Sequence, residues 1–132
     1  MTDDDALDQQ FADLKALGMR LNEIREDVNT RIRDLESRLN ELNLGVRAQI
    51  GLGNSGGVLS WERRGDRAWG LHYQALEAKA PTPLLSCSQA VRMEALDSVA
   101  DLLRQLHTNA DALLTRLREA SGGPDVGAGM QP

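Results

Sequence analysis

The residues whose spacing first suggests chemistry are glycines. Gly51-Leu52-Gly53-Asn54-Ser55-Gly56 matches G-x-G-x-x-G, and Gly57-Val58 extends it to the G-x-G-x-x-G-x-V form of protein kinases. Glycines so spaced let backbone N–H groups close on phosphate oxygens. A dinucleotide site needs a helix directly after them, whereas alternating residues follow here and read as a strand. The kinase form does lie between strands, but no V-A-I-K, H-R-D or D-F-G element accompanies it. The pattern therefore reads as a glycine-rich hairpin turn, with an anion nest among its N–H groups as the chemistry left open.

Other fragments resolve similarly. Asn54-Ser55-Gly56-Gly57 echoes the nucleophile segment of trypsin-like proteases, and His72 and His107 are present, but the two-barrel scaffold that would bring a triad together is missing. Arg64-Gly65-Asp66 spells the integrin tripeptide and reads as a turn, since Gly and Asp tolerate positive φ. The histidines and Cys87 lack metal-ligand spacing, and Cys87 has no identifiable base. No catalytic residue, cofactor or metal is expected.

One regional signal remains. Residues 45–79 carry five basic side chains (Arg47, Arg63, Arg64, Arg67, Lys79) against three acidic (Glu62, Asp66, Glu77), the reverse of the 6 to 11 balance over residues 1–44. Trp61 and Trp69 lie among them. Arginines interleaved with aromatics on a small sheet can hold single-stranded nucleic acid by phosphate contact and base stacking. The competing assignment puts the tryptophans in the core and the arginines at its wet edge.

What positions these residues is a helix–sheet–helix chain. Leu96, Val99, Leu103, Leu106, Ala110, Leu113, Leu117 and Ala120 recur at spacings 3-4-3-4-3-4-3, a coiled-coil seam. Leu14, Leu17, Leu21, Ile24 and Val28, then Ile32, Leu35, Leu39 and Leu42, make a second seam with one stutter. The first helix is placed at about residues 6–44 and the last at about 88–120, with Ser86 or Ser88 as its cap. Between them, Val46–Leu52, Leu59–Glu62 and Trp69–Ala75 alternate with period two. They predict a three-stranded antiparallel meander over about 46–76. A two-residue Gly65-Asp66 turn would put Trp61 and Trp69 on opposite faces and a three-residue turn on one; the latter completes one apolar face and is preferred, the register staying open. Residues 78–87, with Pro81 and Pro83, read as a linker, and 121–132 as a disordered tail.

The expected fold is α+β, one domain over residues 1–120, its helices forming an antiparallel coiled-coil hairpin closed by the sheet. In order of elements this resembles a β-class prefoldin subunit, whose helices form an antiparallel coiled coil around a β hairpin. Surplus apolar residues beside the seams (Met93, Ala95, Leu102, Leu114, Ala12, Ala16 and Met19) predict a further protein surface, most simply a homodimer or else another protein. An assembly or adaptor protein follows, with a nucleic-acid module at Arg47, Arg63, Arg64, Arg67, Trp61 and Trp69 as the alternative. The net charge of −5 argues against a protein built wholly to coat nucleic acid. A single cysteine, an acidic start and no long apolar run point to the cytoplasm, with no membrane partner.

Overall fold

The structure is a computed structural model and describes residues 3–65 and 68–121. A helix, α1 (Asp3–Leu42), leads into strands β1 (Ala48–Gly51), β2 (Val58–Arg63) and β3 (Trp69–Gln74). A two-residue strand, β4 (Thr82–Pro83), and a 3-10 turn over Leu84–Ser86 then precede α2 (Gln89–Asp97) and α3 (Val99–Ala120). The α+β class and the order of the long elements follow the sequence. Asp3, Asp4 and Asp5 occupy the first turn of α1, where carboxylates favour the positive end of the helix dipole. At the other end Asn43 takes a positive φ of 50°, and the helix stops at Leu42, three positions before Gly45.

The sheet is antiparallel in order β1-β2-β3-β4. Its pairing aligns Ala48, Trp61 and Leu71 in one row and Ile50, Leu59 and Tyr73 in the next. Side chains alternate across a strand, so the whole apolar set falls on one face, and the helices pack there. Arg63 pairs with Trp69, so five residues, 64–68, connect the two strands in place of a two- or three-residue turn. Trp61 and Trp69 do share a face, their ring centroids 6.1 Å apart and nearly parallel. The sheet has four strands rather than three. Thr82 and Pro83, inside the expected linker, pair with Tyr73 and His72. An outer edge tolerates a proline because its missing N–H faces away from the ladder.

The last helix is not continuous over 88–120. Ser88 caps it as expected, its hydroxyl accepting from Val91 N–H, but Ser98 interrupts it. The Ser98 N–H is shared between the Glu94 and Ala95 carbonyls, and its carbonyl accepts from Asp101 and Leu102 N–H. Because α3 packs on β1 and β2, its buried face is broad and centred on Leu102 and Leu106. Leu103, assigned to the seam, lies outward at 39% exposure.

The antiparallel hairpin is also corrected. Arg92 of α2 donates to Asn29 Oδ1 (2.5 Å), and Leu103 of α3 shares a groove with Leu35, Leu39 and Leu42. Asn109, further along α3, donates to the Arg47 carbonyl just beyond the end of α1 (2.9 Å). Contacts thus advance in the same sense along both helical segments, not in opposite senses. The cause is topological. Three full-length antiparallel strands leave the chain at the end of the sheet opposite its entry, so a helix laid back over that face runs the same way as the first. An even number of strands, as in a single hairpin, reverses it.

Packing is completed by long-range polar contacts. Glu36 Oε2 accepts from Leu71 N–H (2.8 Å) and Asn40 donates to the Trp69 carbonyl (3.1 Å). Both groups lie on the part of β3 that β4 leaves uncovered, so α1 side chains blunt an otherwise open strand edge. The core comprises Val28, Ile32 and Leu39 of α1, the apolar sheet face, Leu52, Leu84, Ala95, Leu102 and Leu106. Among the described residues no helix is long and apolar enough to cross a membrane.

Candidate assembly surface

The most unusual surface belongs to the first 25 described residues of α1. From Asp3 to Asp27 every residue is exposed except Gly18, which is half-buried. Val28 is the first to enter the core. At about 1.5 Å per residue this is an arm of roughly 37 Å. Leu7, Phe11, Leu14, Leu17, Leu21 and Ile24 are each at least half exposed along it. The first seam therefore divides at Val28, one half within the chain's own core and the other bare. Single exposed leucines are ordinary, but a contiguous apolar stripe of this length is characteristic of a docking surface. Leu114 and Leu117 of α3 are also exposed, but they lie beyond Asn109, at the end of the molecule away from the arm. A groove of about 330 Å³ opens between Leu35, Leu39 and Leu42 of α1 and Leu103 of α3.

The seven residues expected to form a partner surface divide in the same way. Ala12, Ala16 and Met19 on the arm are exposed, as are Met93 and Leu114. Ala95 and Leu102 are fully buried and form no partner surface, since the sheet and α1 cover the face they occupy. Leu7 and Phe11, which that set omits, lie on the arm's stripe. The 4-3 spacing of Leu7, Phe11 and Leu14 is the signal that marks them.

The basic face is arranged differently from a free cationic patch. Trp61 is buried within the core, leaving Trp69 as the partly accessible member of the stacked pair. Glu62 lies between Arg47 and Arg64, each guanidinium 3.1 Å from a different carboxylate oxygen. Arg63 donates weakly to the Gly65 carbonyl (3.4 Å), and Arg67 lies outside the described residues. Arg47, Glu62, Arg63, Arg64 and Trp69 wall an open cleft of about 600 Å³. One buried carboxylate thus offsets part of the charge presented by three arginines.

The glycine turn does hold an anion, and that anion is the chain's own. Glu94 of α2 accepts from Asn54 N–H (2.6 Å) and Ser55 N–H (3.2 Å), one carboxylate oxygen to each. The turn itself is closed by Gly56 N–H to the Leu52 carbonyl and Leu52 N–H to the Gly57 carbonyl. A Cβ on Gly57 would stand 2.5 Å from the Tyr73 ring and 2.6 Å from the Gln74 carbonyl oxygen, so close approach to β3 requires glycine there. The turn pins α2 to the sheet.

The remaining candidates stay apart. His72 Nδ1 lies 3.1 Å from the Gly70 carbonyl, His107 is exposed, and the Cys87 thiol donates to the Pro83 carbonyl. Among the described residues no group of three or more His, Cys, Asp and Glu is placed to hold a metal ion. Comparison with protein-family models, with curated proteins and with solved structures gave no match.

Proposed function

We propose that this chain works without catalysis, as an assembly or adaptor protein that docks through the bare half of α1. The observation that carries the reading is the exposure of that half from Asp3 to Asp27. A lone helix of this length is only marginally stable in water, because helices in proteins draw most of their stability from packing one face. Gly18, in its interior, costs about a further 1 kcal/mol. Six large apolar side chains await burial, each worth about 1 kcal/mol for the half still exposed. A helical arm in this state is best understood as one member of an interface.

The test is the mass of the intact protein by light scattering, paired with helix content from circular dichroism across a dilution series. The doubly substituted Leu14→Asp/Leu21→Asp chain serves as comparison, since both positions lie off the core. Assembly that this variant abolishes, with helix content falling by up to about a third as the arm melts, is the expected result. An arm equally helical in both chains at every concentration, with no change in mass or partner capture, overturns the reading.

A second reading has one observation in its favour, the cleft walled by Arg47, Arg63, Arg64 and Trp69. In that reading the chain also binds single-stranded nucleic acid. Oligonucleotide affinity should then fall steeply with salt, and Arg63→Gln/Arg64→Gln should flatten the slope. Salt-insensitive or undetectable binding removes it.

A further inference from the structure

We propose that the occupant of the arm is a second copy of this chain, lying antiparallel with the two-fold axis between Lys15 and Ala16. The inference rests on the docking role of the arm and adds its partner, direction and register.

The argument starts from the heptad. Leu7, Leu14 and Leu21 occupy one core position, and Gln10, Leu17 and Ile24 the other. In an antiparallel pair the two kinds of core position meet in the same layers. An axis between residues 15 and 16 places Leu7 against Ile24 of the second copy, and Leu14 against Leu17. By symmetry each contact occurs twice. Leu7, Leu14, Leu17 and Ile24 thereby pair among themselves, and Leu21 meets Gln10, the one polar residue at these core positions. The stripe ends where Val28 enters the chain's own core.

The flanking positions decide between registers. With this axis Asp13 faces Arg20 of the second copy, and Asp4 faces Arg25, giving four opposite-charge contacts per dimer. Phe11, 68% exposed in the single chain, comes over Gly18 of the second copy. A Cβ on that glycine would meet nothing within 4 Å, so open space lies where the ring needs it. Moving the axis by half a heptad, to Met19, keeps an apolar core but sets Asp13 against Asp27 and Arg20 against Arg20. A parallel pair sets Arg20 against Arg25 and superposes the two acidic ends, Asp3 to Asp13, upon each other. Of these arrangements only the first matches both the stripe and the charges.

The experiment is disulfide trapping in full-length protein carrying Cys87→Ser, with new cysteines at exposed arm positions. Leu7→Cys mixed with Ile24→Cys is expected to give a mixed disulfide as the major product. Leu7→Cys alone should give none above background, its two copies being about 26 Å apart. As a second measure, Asp13→Arg should weaken dimerisation at least tenfold, and Arg20→Asp in the same chain should restore it to within about threefold. A Leu7–Leu7 disulfide, an Ile24–Leu14 disulfide in a corresponding mixture, or failure of the charge exchange to rescue each overturns the proposal. A mass of one chain at tens of micromolar does so too. An overturned register with assembly still lost in Leu14→Asp/Leu21→Asp leaves the docking role standing, whereas loss of both removes it.

Discussion

The two halves of α1 share one helix and one kind of heptad, yet meet different environments. From Val28 to Leu42 the stripe lies against the sheet and α2, and Val28, Ile32 and Leu39 are buried. From Leu7 to Ile24 the large apolar side chains of the stripe are each at least half exposed. The apolar pattern does not distinguish them; the reach of the sheet does. A strand of six residues spans about 20 Å, which matches the clothed half of α1 and leaves the rest beyond it. A seam longer than the body it packs against is how one helix serves folding at one end and assembly at the other.

The sharpest way to break this comparison is a cavity on each side of Val28. Ile32→Ala, at a fully buried position, should cost about 3 kcal/mol, read as a lowered midpoint in urea. Leu17→Ala, measured where the chains are dissociated, should cost only a few tenths and shift the association constant instead. Equal losses at both sites would mean that the arm folds back onto the body in solution.

Next in size is the glycine turn, which fastens the clothed side. Gly57→Ala brings a methyl group against the Tyr73 ring and the Gln74 carbonyl. Backbone must move, at a cost of about 2 kcal/mol, and the arm's association should be unaffected. Glu94→Gln keeps the shape but removes the charge from the bonds to Asn54 and Ser55 N–H. Because these bonds are open to solvent, the loss should be about 1 kcal/mol by chemical denaturation. If Glu94→Gln instead raised affinity for free phosphate, the nest would be a binding site that its own carboxylate occupies.

The sequence carried the periodicities, and the structure keeps what depended on them alone. The long first helix and the three main strands were readable from local spacing, the cap was narrowed to Ser86 or Ser88, and the shared face of Trp61 and Trp69 was the preferred of two registers. What local spacing cannot express is direction. The sense of the last helix follows from how many strands separate it from the first, and equal helix lengths suit either sense. β4 was illegible because two residues, one a proline, cannot alternate. Ala95 and Leu102 were misplaced because a helix on a sheet buries a wider face than a coiled-coil seam. Glu94 and Glu36 gave no signal, since each reaches backbone 35 or more residues away in the chain. On the arm, by contrast, nothing long-range intervenes, and the stripe is exposed where its spacing places it.

The smallest expected effect lies at the boundary between the two halves. Asp27 pairs with Arg31 one turn on (3.2 Å), and both side chains are more than half exposed. Such a pair is worth a few tenths of a kcal/mol at low salt and less at physiological ionic strength. Asp27→Ser should therefore leave the unfolding midpoint within error. Its value is as a control on register. With the axis between Lys15 and Ala16, Asp27 faces Ala6 of the second copy and contributes no charge pair. With the axis at Met19 it faces Asp13, and removing it would relieve a repulsion. Unchanged association in Asp27→Ser thus agrees with the first register, and clearly tighter association would shift the axis toward Met19.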